Sequence, residues 1–212
     1  MGAENRLASP STEDLTSLSR AKGFLAREFL LWLWWRSESE DFAVEVKSTA
    51  ESGRRRTMKA SVWIDDRVVL ESPSGQIHEH IMKGGTPAQS IESAEALATG
   101  KTVKEIKIGL AVEGLGDFSA VLDGESLSPR GLKLPAPDSD ATAVSADGTP
   151  SRPRALPVSA RLDLIDVFVC FLDQLFATFM EERTVGDWSN KGGASIRKWI
   201  RTRRVAATNT VH

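Results

Sequence analysis

The chain has 212 residues, with 27 lysines and arginines against 29 aspartates and glutamates, so its formal charge is −2. This near-neutral sum excludes a uniformly basic surface, which is the simplest way for a protein to hold nucleic-acid phosphates. The single cysteine excludes a disulfide framework and a cysteine-rich zinc site, and three histidines leave little for a histidine-built metal centre. The composition therefore predicts a soluble intracellular protein without a metal or a cofactor.

Two apolar runs, at 24–35 and 162–180, are the candidates for membrane segments. The first is too short, because a bilayer-spanning helix needs about 20 apolar residues. The second is long enough, but three aspartates interrupt it, and each is costly in lipid. Both runs are predicted to be core helices, with no membrane contact.

The first predicted element is a helix over 20–38, preceded by a disordered lead over 1–19. Three of the six tryptophans lie between positions 32 and 35 of this helix. Such a cluster can serve as a stacking platform for bases. We favour a core position instead, because large aromatic side chains dominate core packing.

The middle of the chain predicts an antiparallel sheet with one helix between its strands. Period-two alternation predicts strands at 42–47, 60–64, 68–70, 76–82, 103–112, 118–122 and 127–134. Asp65-Asp66-Arg67 is predicted to form a tight hairpin between the second and third strands. A helix is predicted over 88–99, with Thr86 as its N-cap.

A second long helix is predicted over 160–183, after a proline-rich loop at 135–158. Its apolar residues have heptad-like spacing, at Ile165, Phe168, Leu172, Leu175 and Phe179. This seam fits packing on the sheet, packing on the tryptophan-rich helix, or a dimer interface. A last helix is predicted over 194–204.

Together these elements predict an α+β fold. Its antiparallel sheet is packed by a Trp-rich N-terminal helix and a long apolar C-terminal helix. We assign one domain to 20–183 and a basic C-terminal helix and tail to 184–212.

No catalytic signature is found in the sequence. Gly114-Leu115-Gly116 lacks the third glycine of the dinucleotide fingerprint, and no phosphate-binding loop or nucleophile elbow occurs. The prediction is a protein that is not an enzyme and has no small-molecule substrate.

The charge is distributed unevenly along the chain. The window 185–204 contains six basic residues and one acid, so it carries +5 and the remaining residues carry −7. The basic residues are interleaved with Trp188, Trp199 and Ile200, which predicts a helix with an apolar anchor and a cationic face. Such a face fits phosphate contacts.

Two further basic clusters lie in the sheet region. One is Arg54-Arg55-Arg56 between two predicted strands. The other is Lys101, Lys104 and Lys107, where regular alternation places Lys101 and Lys107 on one face and Lys104 on the other. For each cluster the alternative is an ordinary solvated surface. The candidate DNA-binding residues are Lys101, Lys104, Lys107, Arg54, Arg55, Arg56, Arg197, Lys198, Arg201, Arg203 and Arg204.

The order of elements from position 90 onward resembles a known family. The segment 90–110, SIESAEALATGKTVKEIKIGL, is similar to the helix, Gly-Lys-x-Val turn and strand in the C-terminal part of the recombination-associated RdgC family. The segment 118–127, FSAVLDGESL, resembles the next strands there. The helix at 163–182 falls where that family has its last long apolar helix.

This resemblance implies a non-enzymatic DNA-binding protein that restrains recombination. Members of the family form a ring-shaped homodimer that takes duplex DNA on a basic inner surface, which implies a cytoplasmic, nucleoid-associated protein. On the matching segment, Lys101, Lys104 and Lys107 are the candidates for a DNA-facing surface. The chain is shorter than the family and adds a basic tail, whose candidate residues come from the charge pattern alone.

The sequence therefore predicts sequence-independent binding of double-stranded DNA by a homodimer. The alternative is a protein–protein interaction or assembly module whose basic tail binds an acidic partner.

Overall fold

The structure is a computed structural model that describes residues 12–39, 42–49, 55–72, 80–83, 90–136, 156–185 and 187–209. The described helices are α1 (Thr12–Ser37), α2 (Ile91–Ala98), α3 (Val158–Val185) and α4 (Gly192–Asn209). The described strands are β1 (Ala43–Thr49), β2 (Arg55–Glu71), β3 (His80–Lys83), β4 (Thr102–Val112), β5 (Gly116–Asp123) and β6 (Pro129–Lys133). None of the described helices is long and apolar enough to cross a membrane.

The strands form one antiparallel sheet in the order β1-β2-β4-β5-β6, with β3 also paired to β2. Alternate residues of β1, β2, β4 and β5 point to one face and are buried there. On that face they meet α1 and α3 in a single apolar core. The predicted α+β class and the predicted antiparallel sheet are confirmed.

The tryptophan-rich helix α1 belongs to the core. Trp32 and Trp34 are fully buried, and Phe29 packs between Trp32 and Phe179 with ring centroids 5.9 and 5.6 Å away. The core interpretation of this cluster is therefore confirmed, and neither buried ring is available to stack a base. The helix begins at Thr12, eight residues before the predicted start.

Helix α3, which corresponds to the predicted long apolar helix, is amphipathic and is not apolar along its whole length. Phe168, Phe171, Leu175 and Phe179 form its buried stripe. The predicted seam is therefore used mainly inside the chain. A second apolar stripe is left facing solvent, where Val158, Leu162 and Val169 are 72, 55 and 40% exposed.

The hairpin predicted at Asp65-Asp66-Arg67 is wrong. β2 runs straight through these residues, because β4 pairs with both of its halves: Ile64 lies opposite Ile108 and Val68 lies opposite Ile106. Only Lys107 lies between those two partners, so residues 65–67 form a bulge. The N-cap of α2 also differs from the prediction, because Ser90 accepts a hydrogen bond from the Ser93 amide at 3.1 Å.

Candidate nucleic-acid interface

The C-terminal helix α4 is fixed to the end of α1 by one carboxylate. Glu38 accepts hydrogen bonds from the indole nitrogens of Trp34 and Trp199, at 3.2 and 2.8 Å, and from the Arg203 guanidinium. Arg203 lies over both indole rings, 5.5 and 5.0 Å from their centroids, and its side chain is 13% exposed. Arg203, predicted to contact DNA, is therefore held in the α1–α4 contact by an ion pair and two cation–π contacts.

The same combination of glutamate, tryptophan and arginine occurs twice more. Glu28 accepts from Trp188 Nε1 at 2.9 Å and from Arg183 Nε at 2.6 Å. Glu182 accepts from Trp32 Nε1 at 2.8 Å and pairs with Arg36 at 3.2 Å. A buried indole N–H needs an acceptor, and a carboxylate can serve it together with a cation. These contacts join α1 to α3 and to the turn that precedes α4.

The outward side of α4 is basic. At 100° per residue, Arg197, Lys198, Arg201 and Arg204 fall within an arc of about 120°. The buried Ile196 and the anchoring Trp199 lie on the opposite arc. Arg197, Lys198 and Arg201 are exposed, as is Lys191 in the preceding turn. The side chain of Arg204 lies outside the described part of the chain.

The exposed cations of α4 have no carboxylate partner among the described residues. Arg197 donates to the Ser189 carbonyl at 2.8 Å, and no ion pair is found for Lys191, Lys198 or Arg201. The helix itself contains no aspartate or glutamate. We call Lys191, Arg197, Lys198 and Arg201 the α4 basic face.

The lysines of β4, in contrast, are ion-paired. Lys107 contacts Asp65 and Asp66 at 2.9 and 2.8 Å and is 17% exposed, and Lys104 lies 3.7 Å from Glu71. Hydrogen bonds to the two aspartates raise the pKa of Lys107, and the hydrogen bond from Lys107 lowers the pKa of Asp66. These positive charges are therefore compensated within the protein.

The predicted alternation of the β4 lysines does not hold. Val103 and Ile106 are both buried although they are three residues apart, because the pairing with β2 shifts between them and leaves Lys104 at a bulge. Lys101 lies just after α2 and is half-buried.

The predicted DNA-binding residues do not converge on one surface. α4 packs on the helix-covered side of the sheet through Trp34, whereas Lys107 points from the opposite face. Arg54 lies outside the described residues. Arg55 and Arg56 begin β2, where their backbones pair with Thr49 and Ser48, and their side chains are outside the described part.

The face of the sheet away from α1 and α3, which we call the open face, is a network of paired charges. Glu105 pairs with Arg67 at 2.8 Å and with Arg130, and Lys59 pairs with Glu45 at 3.5 Å. Burial raises the pKa of Glu105, but the hydrogen bonds from Arg130 and Arg67 outweigh it and the pKa is lowered. The charges of these residues are therefore compensated within the protein.

One residue of the open face was not among the sequence candidates. Trp63 is 36% exposed, between the core residues Val62 and Ile64. The alternation that predicts this strand also places Trp63 on the solvent side, so the sequence contained the signal.

Comparison with protein-family models, with curated proteins and with solved structures finds no match. The resemblance to the RdgC family therefore stays a prediction, and the function has to be argued from the residues of this chain.

Proposed function

We propose that this protein is a non-enzymatic DNA-binding protein that holds duplex DNA without sequence preference through α4. The observation that carries the proposal is the α4 basic face, whose four exposed cations have no described carboxylate partner. Arginine and lysine neutralise phosphates, and contacts of this kind carry no sequence information. This function fits a nucleoid-associated protein of the cytoplasm.

The anchoring of α4 supports the same proposal. Glu38, Trp199 and Arg203 join the inner side of the helix to α1, Ile196 is buried in the core, and α4 also packs against α2, so the outer cations are presented on a rigid element. A rigid element loses little conformational entropy on binding. The chain outside the window 185–204 carries −7, so repulsion from the rest of the protein favours an orientation in which α4 faces the DNA.

The test is the salt dependence of binding to a random duplex, measured by fluorescence anisotropy. Four phosphates neutralised give a slope of log affinity against log salt of about −3.6, at about 0.9 per phosphate. The triple variant Arg197→Gln, Lys198→Gln, Arg201→Gln leaves one cation of the face, so we expect the slope to fall to about −0.9.

A matched control removes three positive charges from other elements. Lys59→Gln, Lys83→Gln and Arg130→Gln change exposed residues of β2, β3 and β6. We expect this variant to keep most of the affinity. Equal losses of affinity for the duplex in the two triple variants would mean that net charge alone governs binding. The assignment of DNA binding to α4 would then be wrong.

A second candidate function, an assembly module, rests on the exposed stripe of α3. Val158, Leu162 and Val169, together with half-buried Ile165, follow the 4-3-4 spacing of a coiled-coil seam. Arg161 and Asp166 flank this stripe five residues apart, which is the spacing of charge pairs between parallel helices. This arrangement favours a homodimer through α3.

Sedimentation analysis tests the homodimer. We expect Leu162→Lys to give a monomer, because it places a charge in the centre of the stripe. Val185→Lys is the control, since Val185 is also an exposed aliphatic residue of α3 but lies outside the stripe. A wild-type protein that is monomeric at all accessible concentrations would contradict the homodimer.

A further inference from the structure

Trp63 has an unusual position on the open face of the sheet. Its Cα partner on β4 is Gly109, and a Cβ built on Gly109 would overlap the indole ring, with Nε1 only 2.6 Å away. The ring therefore lies directly over the glycine backbone. One face of the indole is covered by the sheet, and the side chain remains 36% exposed.

The polar atom of Trp63 is also unused. Trp32, Trp34, Trp188 and Trp199 each donate Nε1 to a glutamate. Trp63 makes no hydrogen bond and no ring contact with the described residues. An indole with one open π-face and an available N–H can stack on a planar ring and donate a hydrogen bond to it.

The register of the sheet places a cation in the same row as this ring. Trp63 pairs with Gly109, Gly109 with Ser119, and Ser119 with Lys133. Neighbouring strands lie about 4.8 Å apart, so the row spans about 14 Å from Trp63 to Lys133. The indole covers Gly109, and the flexible lysine side chain is long enough to approach the ring from the other end.

Lys133, like Lys83 of β3, differs from the ion-paired cations of the open face. Lys59, Arg67, Lys107 and Arg130 all lie within 4 Å of a carboxylate. Lys133 is exposed and has no such partner in the part of the chain that the structure describes. The row therefore has an open aromatic surface at one end and an exposed lysine at the other. Lys133 makes no ion-pair contact among the described residues, although its charge also acts on Asp66.

We propose that the open face binds single-stranded nucleic acid, with one base stacked on Trp63 and a neighbouring phosphate held by Lys133. Stacking surfaces beside cations are the means by which proteins hold single strands without sequence preference. A duplex is a poor ligand here, because its bases are already stacked and paired. The site lies across the sheet from the α4 contact with Trp34, so it does not depend on the function proposed for α4.

The test compares labelled (dT)12 with an abasic oligomer of the same length and charge. For the wild-type protein we expect (dT)12 to bind about tenfold more tightly, which corresponds to about 1.4 kcal/mol. Trp63→Leu keeps an apolar cover on Gly109 but has no π-face, so it should bind the two oligomers equally. Trp63→Phe keeps a ring and should retain part of the preference, and it serves as the test if the leucine variant fails to fold.

Two further variants separate this site from α4. Lys133→Gln should reduce the salt slope for (dT)12 by about 0.7, the value for one phosphate of a single strand. The α4 triple variant should keep the preference for (dT)12 over the abasic oligomer. Equal binding of the two oligomers by the wild-type protein would overturn the proposal. Thymidine monophosphate binding as tightly as (dT)12 would also overturn it, because the ligand would then be a free nucleotide.

Discussion

The attachment of α4 can be tested by removing one carboxylate. Glu38→Ala takes away the acceptor for two indole N–H groups and the partner of Arg203. A hydrogen bond to a charged group contributes about 1.5–3 kcal/mol when buried, and partial exposure of Glu38 and Trp199 reduces that value. We therefore expect the free energy of unfolding to fall by about 2–3 kcal/mol.

Urea unfolding followed by circular dichroism gives this free energy. Glu38→Gln should lower the free energy of unfolding by about half as much as Glu38→Ala. The glutamine amide oxygen still accepts a hydrogen bond from an indole, but the uncharged side chain no longer forms an ion pair with Arg203. Glu181→Ala, an exposed glutamate of α3 with no ion pair to a described residue, is the control.

Hydrogen exchange locates the effect. We expect Glu38→Ala to lower protection in α4 while β4 stays protected, since α4 is held at the edge of the core. An unfolding free energy within 0.5 kcal/mol of the wild type, about the scatter of neutral surface substitutions, with unchanged exchange in α4, would refute this role of Glu38.

Three further predictions concern the open face of the sheet. Gly109→Ala should destabilise the protein by about 1–3 kcal/mol, because its methyl group displaces the indole of Trp63; acrylamide quenching of tryptophan fluorescence should rise with it. The pKa of Glu105 is lowered in the folded protein, so its ion pairs stabilise the fold at pH values above its ordinary pKa of 4.5, and this stabilisation is lost as the pH falls through the folded-state pKa. Glu105→Gln should therefore make the free energy of unfolding fall less steeply on acidification. An unchanged pH dependence would contradict the ion pairs. The pKa of Lys107 is raised in the folded protein, so its ion pairs stabilise the fold at pH values below its ordinary pKa of 10.5, and this stabilisation is lost as the pH rises through the folded-state pKa. Above pH 10, the urea midpoint of Lys107→Met should therefore change less with pH than that of the wild type.

Local patterns predicted the elements that the core requires. The alternation at Val44 and Val46 identified β1, and the aromatic density of α1 indicated a core helix, because burial leaves a periodic signal in the chain. The cationic helix α4 was also predicted, since its apolar anchor and its charges share a helical repeat.

Contacts between distant residues could not be predicted in the same way. Residues 65–67 have the composition of a turn, and only the presence of β4 beside both halves of β2 shows that they form a bulge. The sequence around Arg203 contains no acidic partner, because the carboxylate that it pairs with, Glu38, lies 165 residues earlier in the chain. Lys107 likewise meets Asp66 across 41 residues. Counting charges along the chain misses these pairs.

The most direct test of the proposed function is the affinity for random duplex DNA at low and at moderate salt, measured in parallel for three proteins. The samples are the wild-type protein, the α4 triple variant Arg197→Gln, Lys198→Gln, Arg201→Gln, and the control triple variant. We expect salt-sensitive binding by the wild type and the control, and a loss of most of that binding in the α4 variant. No binding by folded wild-type protein at micromolar concentration and low salt would contradict the proposal that α4 holds duplex DNA.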